Sequence, residues 1–322
     1  VPLPSILKDL RLPLIGAPLF IVSNPHLVIA QCRAGIVGAF PALNAREPGE
    51  LEQWLRSIQT ALAAPQDASV QHAIAPYAVN QIVHPSNARL QEDVELCVKY
   101  KAPIMITSLQ SPGPVVKAAH SYGGIVFHDV ISIRHAEKAL ADGVDGLILV
   151  TTGAGGHAGT LNPFAFVEEI RRFYNGPIIL SGAMSRGHHI LAAQAMGADL
   201  AYMGTRFVAT QEARAIPEYK EMLVSSRAED IVYTNVFTGV HGNYLKGSIV
   251  RAGLDPAALG QADKTKMDFA SMQKDGGAKA WKDIWGAGQS VAGIEEVLPA
   301  AQVVDQLEKE YQQVRQQFSS SN

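Results

Sequence analysis

The sequence predicts an α/β chain built as a (β/α)8 barrel, with a smaller helical lid or substrate domain inserted after the eighth strand. Three observations carry this reading. Short apolar runs recur eight times along the chain, and segments with helical spacing lie between them. No G-x-G-x-x-G phosphate loop follows the first run, which disfavours a doubly wound open sheet made from the same βα units.

The runs, in order, are LIGAPL (14–19), GIVGAF (35–40), HAIAPYAV (72–79), PIMITSL (103–109), GGIVFHDV (123–130), VDGLILV (144–150), PIILSGAM (177–184) and LAYMGTRF (200–207). Near-continuous apolarity of this kind marks strands covered on both faces. The intervening segments REPGELEQWLRSIQTAL, NARLQEDVELCVKY, GPVVKAAHSY, SIRHAEKALADG, NPFAFVEEIRRFY and GHHILAAQAMG repeat apolar residues every three to four positions, as amphipathic helices do. Gly143, Gly176 and Gly197 stand where helices should stop before the next strand. After the eighth run the repeat breaks. Residues 211–290 are expected to form the lid, and 1–210 with 291–318 the barrel. A closing amphipathic helix is expected over 294–318, with the terminal SSSN frayed.

Composition narrows the function. A hydrophobic fraction of 47% supports a large core, and 322 residues fit one α/β barrel. A net charge of -3 with no basic tail gives no electrostatic footprint for nucleic acid. No apolar run is long enough to span a bilayer, and the first residues lack a signal peptide's pattern. The two cysteines, Cys32 and Cys97, form neither a disulfide framework nor a metal motif, so a cytoplasmic location is expected. His26, His72, His84, His120 and His135 show no metal-ligand spacing, and His188 and His189 read as surface residues at a helix start.

In a barrel the loops after the strands build the site, with phosphate often held after strands seven and eight. Those strands end here in SGAM, from Ser181 through Gly182 and Ala183, and in MGTRF, from Met203 through Gly204, Thr205 and Arg206. Gly182 and Gly204 allow close backbone approach, and neighbouring N–H groups can converge on an anion; the simpler reading is two tight turns. His157 lies after strand six in TTGAGGHAGTLNPF, beside Gly155 and Gly156, where an imidazole can take or give a proton near neutral pH. Asn80 is expected just after strand three, as a partner for a planar heterocycle. His128 and Asp129 end strand five, and Ala17, Pro18 and Leu19 form a small-residue floor after strand one. Lys246 and Arg251 are candidates for meeting a charged substrate.

The pieces PLIGAPL, AGIVGAF, AVN, GAGGHAG, PIILSGAM, YMGTRF and WGAGQSVAGIEEVLPA, taken in order, resemble the nitronate monooxygenase (2-nitropropane dioxygenase-like) family. That wider family also holds FMN-dependent NAD(P)H:quinone reductases and flavin-containing enoyl-[acyl carrier protein] reductases. The resemblance implies non-covalent FMN held by Ala17, Pro18, Leu19, Asn80, His128, Gly155, Gly156, Ser181, Gly182, Ala183, Met203, Gly204 and Thr205, with Trp285, Gly288 and Gln289 from the late W-x-x-G-Q segment. It places the family's active-site histidine on His157. The implied reaction is oxidation of alkyl nitronates, with nitroalkanes as a further substrate, by O2. The alternative is NAD(P)H oxidation with a quinone or enoyl acceptor. Three features depart from the pattern: His128 where many members carry Lys or Gln, FIVSNPHLV after strand one, and SGAM in place of SGG. An IMP dehydrogenase-type barrel would need a cysteine in the loop after strand six, and this loop has none. A flavin-binding protein without turnover shares the fold and would be told apart by a flavin that no donor bleaches.

Overall fold

The computed structural model describes residues 3–260 and 283–320. Its strands and helices alternate in chain order: β1 (Leu14–Gly16), α1 (Pro25–Arg33), β2 (Val37–Pro41), α2 (Glu50–Ala63), β3 (Tyr77–Val83), α3 (Leu90–Lys99), β4 (Ile104–Leu109), α4 (Gly113–His120), β5 (Ile125–Val130), α5 (Ile133–Ala141) and β6 (Gly146–Val150). They continue through the two-residue strand β7 (Gly156–His157), then α6 (Pro163–Arg171), β8 (Ile178–Ser181), α7 (Gly187–Ala195), β9 (Leu200–Met203) and the short α8 (Thr205–Val208). All these strands except β7 close into one parallel barrel in the order β1-β2-β3-β4-β5-β6-β8-β9. The seam is the pairing of β9 with β1, in register Tyr202 with Ile15.

Strand alternation sorts the side chains into two cores. Ile15, Val37, Ala39, Ala78, Ile104, Ile106, Phe127, Ile148, Ile179 and Leu200 fill the lumen. Leu14, Val79, Met105, Val126, Leu147, Leu149, Leu180 and Ala201 point outward and pack under the helices. The helices meet them with stripes at helical spacing, such as Leu51, Trp54, Leu55 and Ile58 on α2. Each fully buried aliphatic side chain contributes about 1.5–3 kcal/mol, so both faces of every strand stabilise the barrel.

The last described helix, α11 (Ala300–Ser320), buries Val303, Val304, Leu307 and Tyr311. Arg11 grips it through Asp305 at 2.8 Å and Glu308 at 2.7 Å. The helix starts later than 294 and includes Ser319 and Ser320 of the segment expected to fray, whose last two residues lie outside the described ones; residues 289–293 form a 3-10 turn. The third strand also differs from expectation. It begins at Tyr77 rather than His72, which puts Asn80 inside the strand and not after it.

The insertion after the barrel is not purely helical. It holds α9 (Pro217–Ser225), an antiparallel pair β10 (Ile231–Thr234) and β11 (Gly242–Leu245), and α10 (Lys246–Arg251). Its core joins Tyr219, Leu223, Leu245, Trp285 and Val291 to Val22 and Leu27 of the barrel's first βα unit. Among the described residues, no helix is long and apolar enough to cross a membrane.

Candidate active site

The upper lumen differs from the rest because its inward positions turn polar. Continuing the alternation of Ala78, Ile106, Phe127, Ile179 and Leu200 brings Asn80 midway along β3, and Ser108, Asp129, Ser181 and Tyr202 toward the C-terminal ends of β4, β5, β8 and β9. The Asn80 amide donates to the Ile106 carbonyl at 3.2 Å and to Ser108 Oγ at 2.9 Å, and Ser108 Oγ donates to Asp129 Oδ2 at 2.6 Å. Burial pushes the Asp129 carboxyl up to about 7, against the lowering effect of the Ser108 bond. Asp129 Oδ1 and the Tyr202 hydroxyl are buried and have no hydrogen-bond partner among the described residues. Burial raises the Tyr202 phenol well above its ordinary value, and the Asp129 charge adds to it.

The loop after β6 folds over this polar layer. Ala154 and Ala158, which flank His157, pack into the lumen cluster with Phe127 and Val150. The loop does not hold itself in place: β7 adds to the edge of β11, pairing His157 with Gly242 and Gly156 with Asn243. Asn243 Nδ2 donates to the Ala154 carbonyl at 2.6 Å, and the Tyr233 hydroxyl donates to the Ala158 carbonyl at 3.1 Å. The His157 ring meets Thr238 Oγ1 through Nε2 at 3.1 Å, and that hydroxyl donates to the Val240 carbonyl at 2.9 Å. Desolvation lowers the His157 pKa to about 4, so its imidazole is neutral at pH 7, the form that accepts a proton.

Three more segments converge on the same end. Gly288 N donates to Thr205 Oγ1 at 3.0 Å, and Gln289 N donates to the Gly153 carbonyl at 2.9 Å. Gly155 lies so close to this segment that an added Cβ would stand 2.8 Å from both Gly288 N and Thr205 Oγ1. Gly182 adopts φ 145°, and a Cβ there would meet Thr151 Oγ1 at 2.2 Å, so only glycine fits. Its neighbour Ala183 is exposed at φ 52°, a left-handed conformation that strains an L residue. Gly204 faces Ala17 and Leu19, closing the first loop onto the eighth. Asn44 fixes that first loop, accepting from Ile21 N at 2.8 Å and donating to the Leu19 and Ser23 carbonyls; Ile21 itself is held at φ 60°.

Ala17, Leu19, Asn80, Gly155, Gly156, His157, Ser181, Gly182, Ala183, Gly204, Thr205, Gly288 and Gln289 thus gather with Pro18 at one end of the barrel. The side chains of His128, Met203, Trp285, Arg251 and Arg206 point elsewhere, and His189 is not at the surface. His128 has the outward parity of Val126 and Val130: it bonds Thr107 at 2.8 Å and feels the charges of His135 and Asp142 on the helical side. Met203 also faces outward, and only its carbonyl reaches the mouth, accepting from Ala17 N at 2.9 Å. Trp285 is buried in the insertion, stacked on Tyr219 at 5.0 Å with the Arg251 guanidinium 4.4 Å over its ring. The same contact turns Arg251 from a substrate-facing candidate into a packing residue. Arg206 lies buried under α11, donating to the Ala209 and Glu296 carbonyls at 3.3 Å, and lines a small cavity with Ser185 outside the barrel. His189, expected at the surface, is half-buried and accepts from Ser185 N at 3.1 Å.

A sequence model described as nitronate monooxygenase matches residues 5–310. The chain belongs to the nitronate monooxygenase family. It is an oxidoreductase. Nitronate monooxygenase from Paraburkholderia phytofirmans is 28% identical, covering 95% of this chain and 94% of its own. FabK from Thermotoga maritima superposes with a TM-score of 0.79 at 24% identity, over 99% of this chain and 98% of its own. Nitroalkane oxidase from Streptomyces ansochromogenes superposes with a TM-score of 0.79 at 23% identity, over 98% and 100%. At such identities the two structures speak for the shared barrel.

For a nitronate monooxygenase family member, the residues that sequence reasoning missed are Ser108, Tyr202, Thr238 and Asn243. Ser108 and Tyr202 lie in runs apolar on both faces, where nothing marks the inward side. Thr238 reaches His157 across 81 positions, and Asn243 reaches Ala154 across 89, through a pairing that no local pattern encodes.

Proposed function

We propose that this chain is an FMN-dependent nitronate monooxygenase that oxidises alkyl nitronates with O2, with His157 as the active-site base or anion partner. The observation that carries the reading is the placement of a neutral imidazole, clamped by the β7–β11 pairing, over a lumen lined by buried polar atoms that lack partners among the described residues. The residues present fit a flavin. Two polar atoms with no partner among the described residues, Asp129 Oδ1 and the Tyr202 hydroxyl, suit a polar ligand, and Gly182 in the expected phosphate loop packs so closely on Thr151 that no side chain fits there. Backbone N–H groups of Gly182, Ala183, Gly204 and Thr205 would hold the phosphate, with Ala17, Pro18 and Leu19 under the ring and Asn80 at its edge. A bound flavin would supply the two-electron chemistry, leaving positioning and proton handling to the protein.

In this reading a neutral nitroalkane gives its α-proton to His157, and the electron pair of the broken C–H bond stays on the substrate as the nitronate. A substrate already supplied as nitronate needs no proton removed, and the imidazole orients it. The relative's name supports the substrate class. The free, buried Cys32 and Cys97 fit a reducing compartment, in keeping with a cytoplasmic location.

Anaerobic mixing of the FMN-loaded protein with propionate 3-nitronate, NADH and NADPH separately tests this. Flavin bleaching by the nitronate, with oxygen uptake once air is admitted, is the expected result. Bleaching by a nicotinamide alone would move the chain to reductase chemistry with a quinone or enoyl acceptor.

A further inference from the structure

The hydrogen bonds of the upper lumen have only one consistent direction. A carbonyl can only accept, so the Asn80 group facing the Ile106 carbonyl must be Nδ2. The same nitrogen then donates to Ser108 Oγ, which leaves the single Ser108 proton for Asp129 Oδ2 at 2.6 Å. Oδ2 is therefore an acceptor, and any proton that the carboxyl keeps resides on Oδ1. That atom is buried on the lumen side of β5 and has no partner among the described residues. The ionisable group that Asp129 meets from across the lumen is the Tyr202 phenol of β9, neutral and also orphaned. The other ionisable group at this end of β5, His128, faces α5.

We propose that Asp129 is a neutral carboxylic acid whose Oδ1–H donates to the electron-rich carbonyl-and-nitrogen edge of the bound flavin ring, so that cofactor affinity is tied to one proton. The proposal rests on the flavin reading above and adds a partner of defined polarity. An acid held by Ser108 donates while neutral, and once ionised it presents a negative charge to an electron-rich edge. Burial without a cation favours the protonated form, consistent with a carboxyl pushed up to about 7. The departure expected at His128 therefore belongs one residue later, where the lumen holds a proton donor with no permanent charge.

Equilibrium dialysis of the FMN-loaded protein, from about pH 6 to about pH 8.5, compares wild type with Asp129→Asn and Asp129→Ala. Asp129→Asn keeps an N–H donor and cannot ionise. Taking affinities relative to Asp129→Asn cancels the titration of the FMN phosphate itself. The expected ratio of wild-type to Asp129→Asn affinity is near one at the acid end and falls by up to about tenfold per pH unit above the transition. Asp129→Ala should release FMN about tenfold more readily than Asp129→Asn at every pH. A second readout needs no flavin: denaturant stability of the flavin-free chain should fall with pH in wild type and stay flat in Asp129→Asn. A flat affinity ratio with FMN still bound would overturn the donor while leaving the flavin reading intact. Failure of all three proteins to hold FMN at any pH would overturn the flavin reading, and with it the donor's acceptor. A pH-independent stability difference would show that the carboxyl ionises like an exposed one, and would also overturn the proposal.

Discussion

The lower and upper halves of the barrel lumen are made by the same strands and do opposite things. Below, Ile15, Val37, Ile104, Ile148, Ile179 and Leu200 are fully buried and apolar. Above, two residues further along β8 and β9 and four along β4, stand Ser181, Tyr202 and Ser108, joined by Asn80 of β3 and Asp129 of β5. The lower layer lowers the free energy of the fold through area removed from water. The upper layer carries buried polar atoms without partners among the described residues, a cost tolerated where a ligand completes them. A barrel thus separates stability and chemistry along its own axis, within a few ångström of strand rise.

The sharpest way to break this contrast is to truncate each layer. Ile148→Ala should cost about 2–5 kcal/mol of unfolding free energy, read from a lowered denaturation midpoint at unchanged slope. A loss below 1 kcal/mol would mean that the lower lumen is not packed as described. Asp129→Asn should do the reverse. The native carboxyl titrates at about 7 against an unfolded value near 3.8, so the native state holds a proton that the unfolded state has released. Wild-type stability is accordingly highest below the unfolded value and falls as pH rises to the native one. In flavin-free protein above that range, Asp129→Asn should be more stable by about 1–3 kcal/mol, with the gap closing in acid.

Two smaller effects sharpen the comparison at the mouth. Thr238→Val removes the hydroxyl that meets His157 Nε2. It should lower kcat about tenfold with little change in KM, and Thr238→Ser should restore it. A change in KM alone would give Thr238 a role in substrate binding and none in orienting the ring. Ala183→Gly relieves a left-handed alanine at an exposed position, so stability should change by less than about 1 kcal/mol, with the strain relieved offset by unfolded-state entropy. A loss of several kcal/mol would show that the Ala183 side chain makes a contact on which the fold depends.

Much of the fold was legible because buried parallel strands are written as apolar runs between amphipathic helices. The same property hid the site's details. With both faces of β5 covered, the sequence gives no contrast between His128 and Asp129, although one residue along a strand is one whole face and only Asp129 points into the lumen. Met203 and Tyr202 repeat the problem on β9. The glycine at 182 was readable because it answers a local steric demand. The β10–β11 ribbon and its grip on His157 were not readable, because that pairing joins residues far apart in the chain. The W-x-x-G-Q motif joins Trp285 to Gly288 and Gln289, which do reach the mouth, while the Trp285 ring turns the other way, onto Tyr219.

The central claim is that a neutral, ribbon-clamped His157 acts on a substrate above a flavin that it does not itself hold. The direct measurement is FMN content and turnover of propionate 3-nitronate and nitroethane by His157→Ala beside wild type. The account predicts full FMN occupancy with turnover reduced by about 10²–10⁴-fold on nitroethane, whose proton must be removed, and a smaller loss on the nitronate. Wild-type kcat/KM on both substrates, with FMN retained, would contradict it.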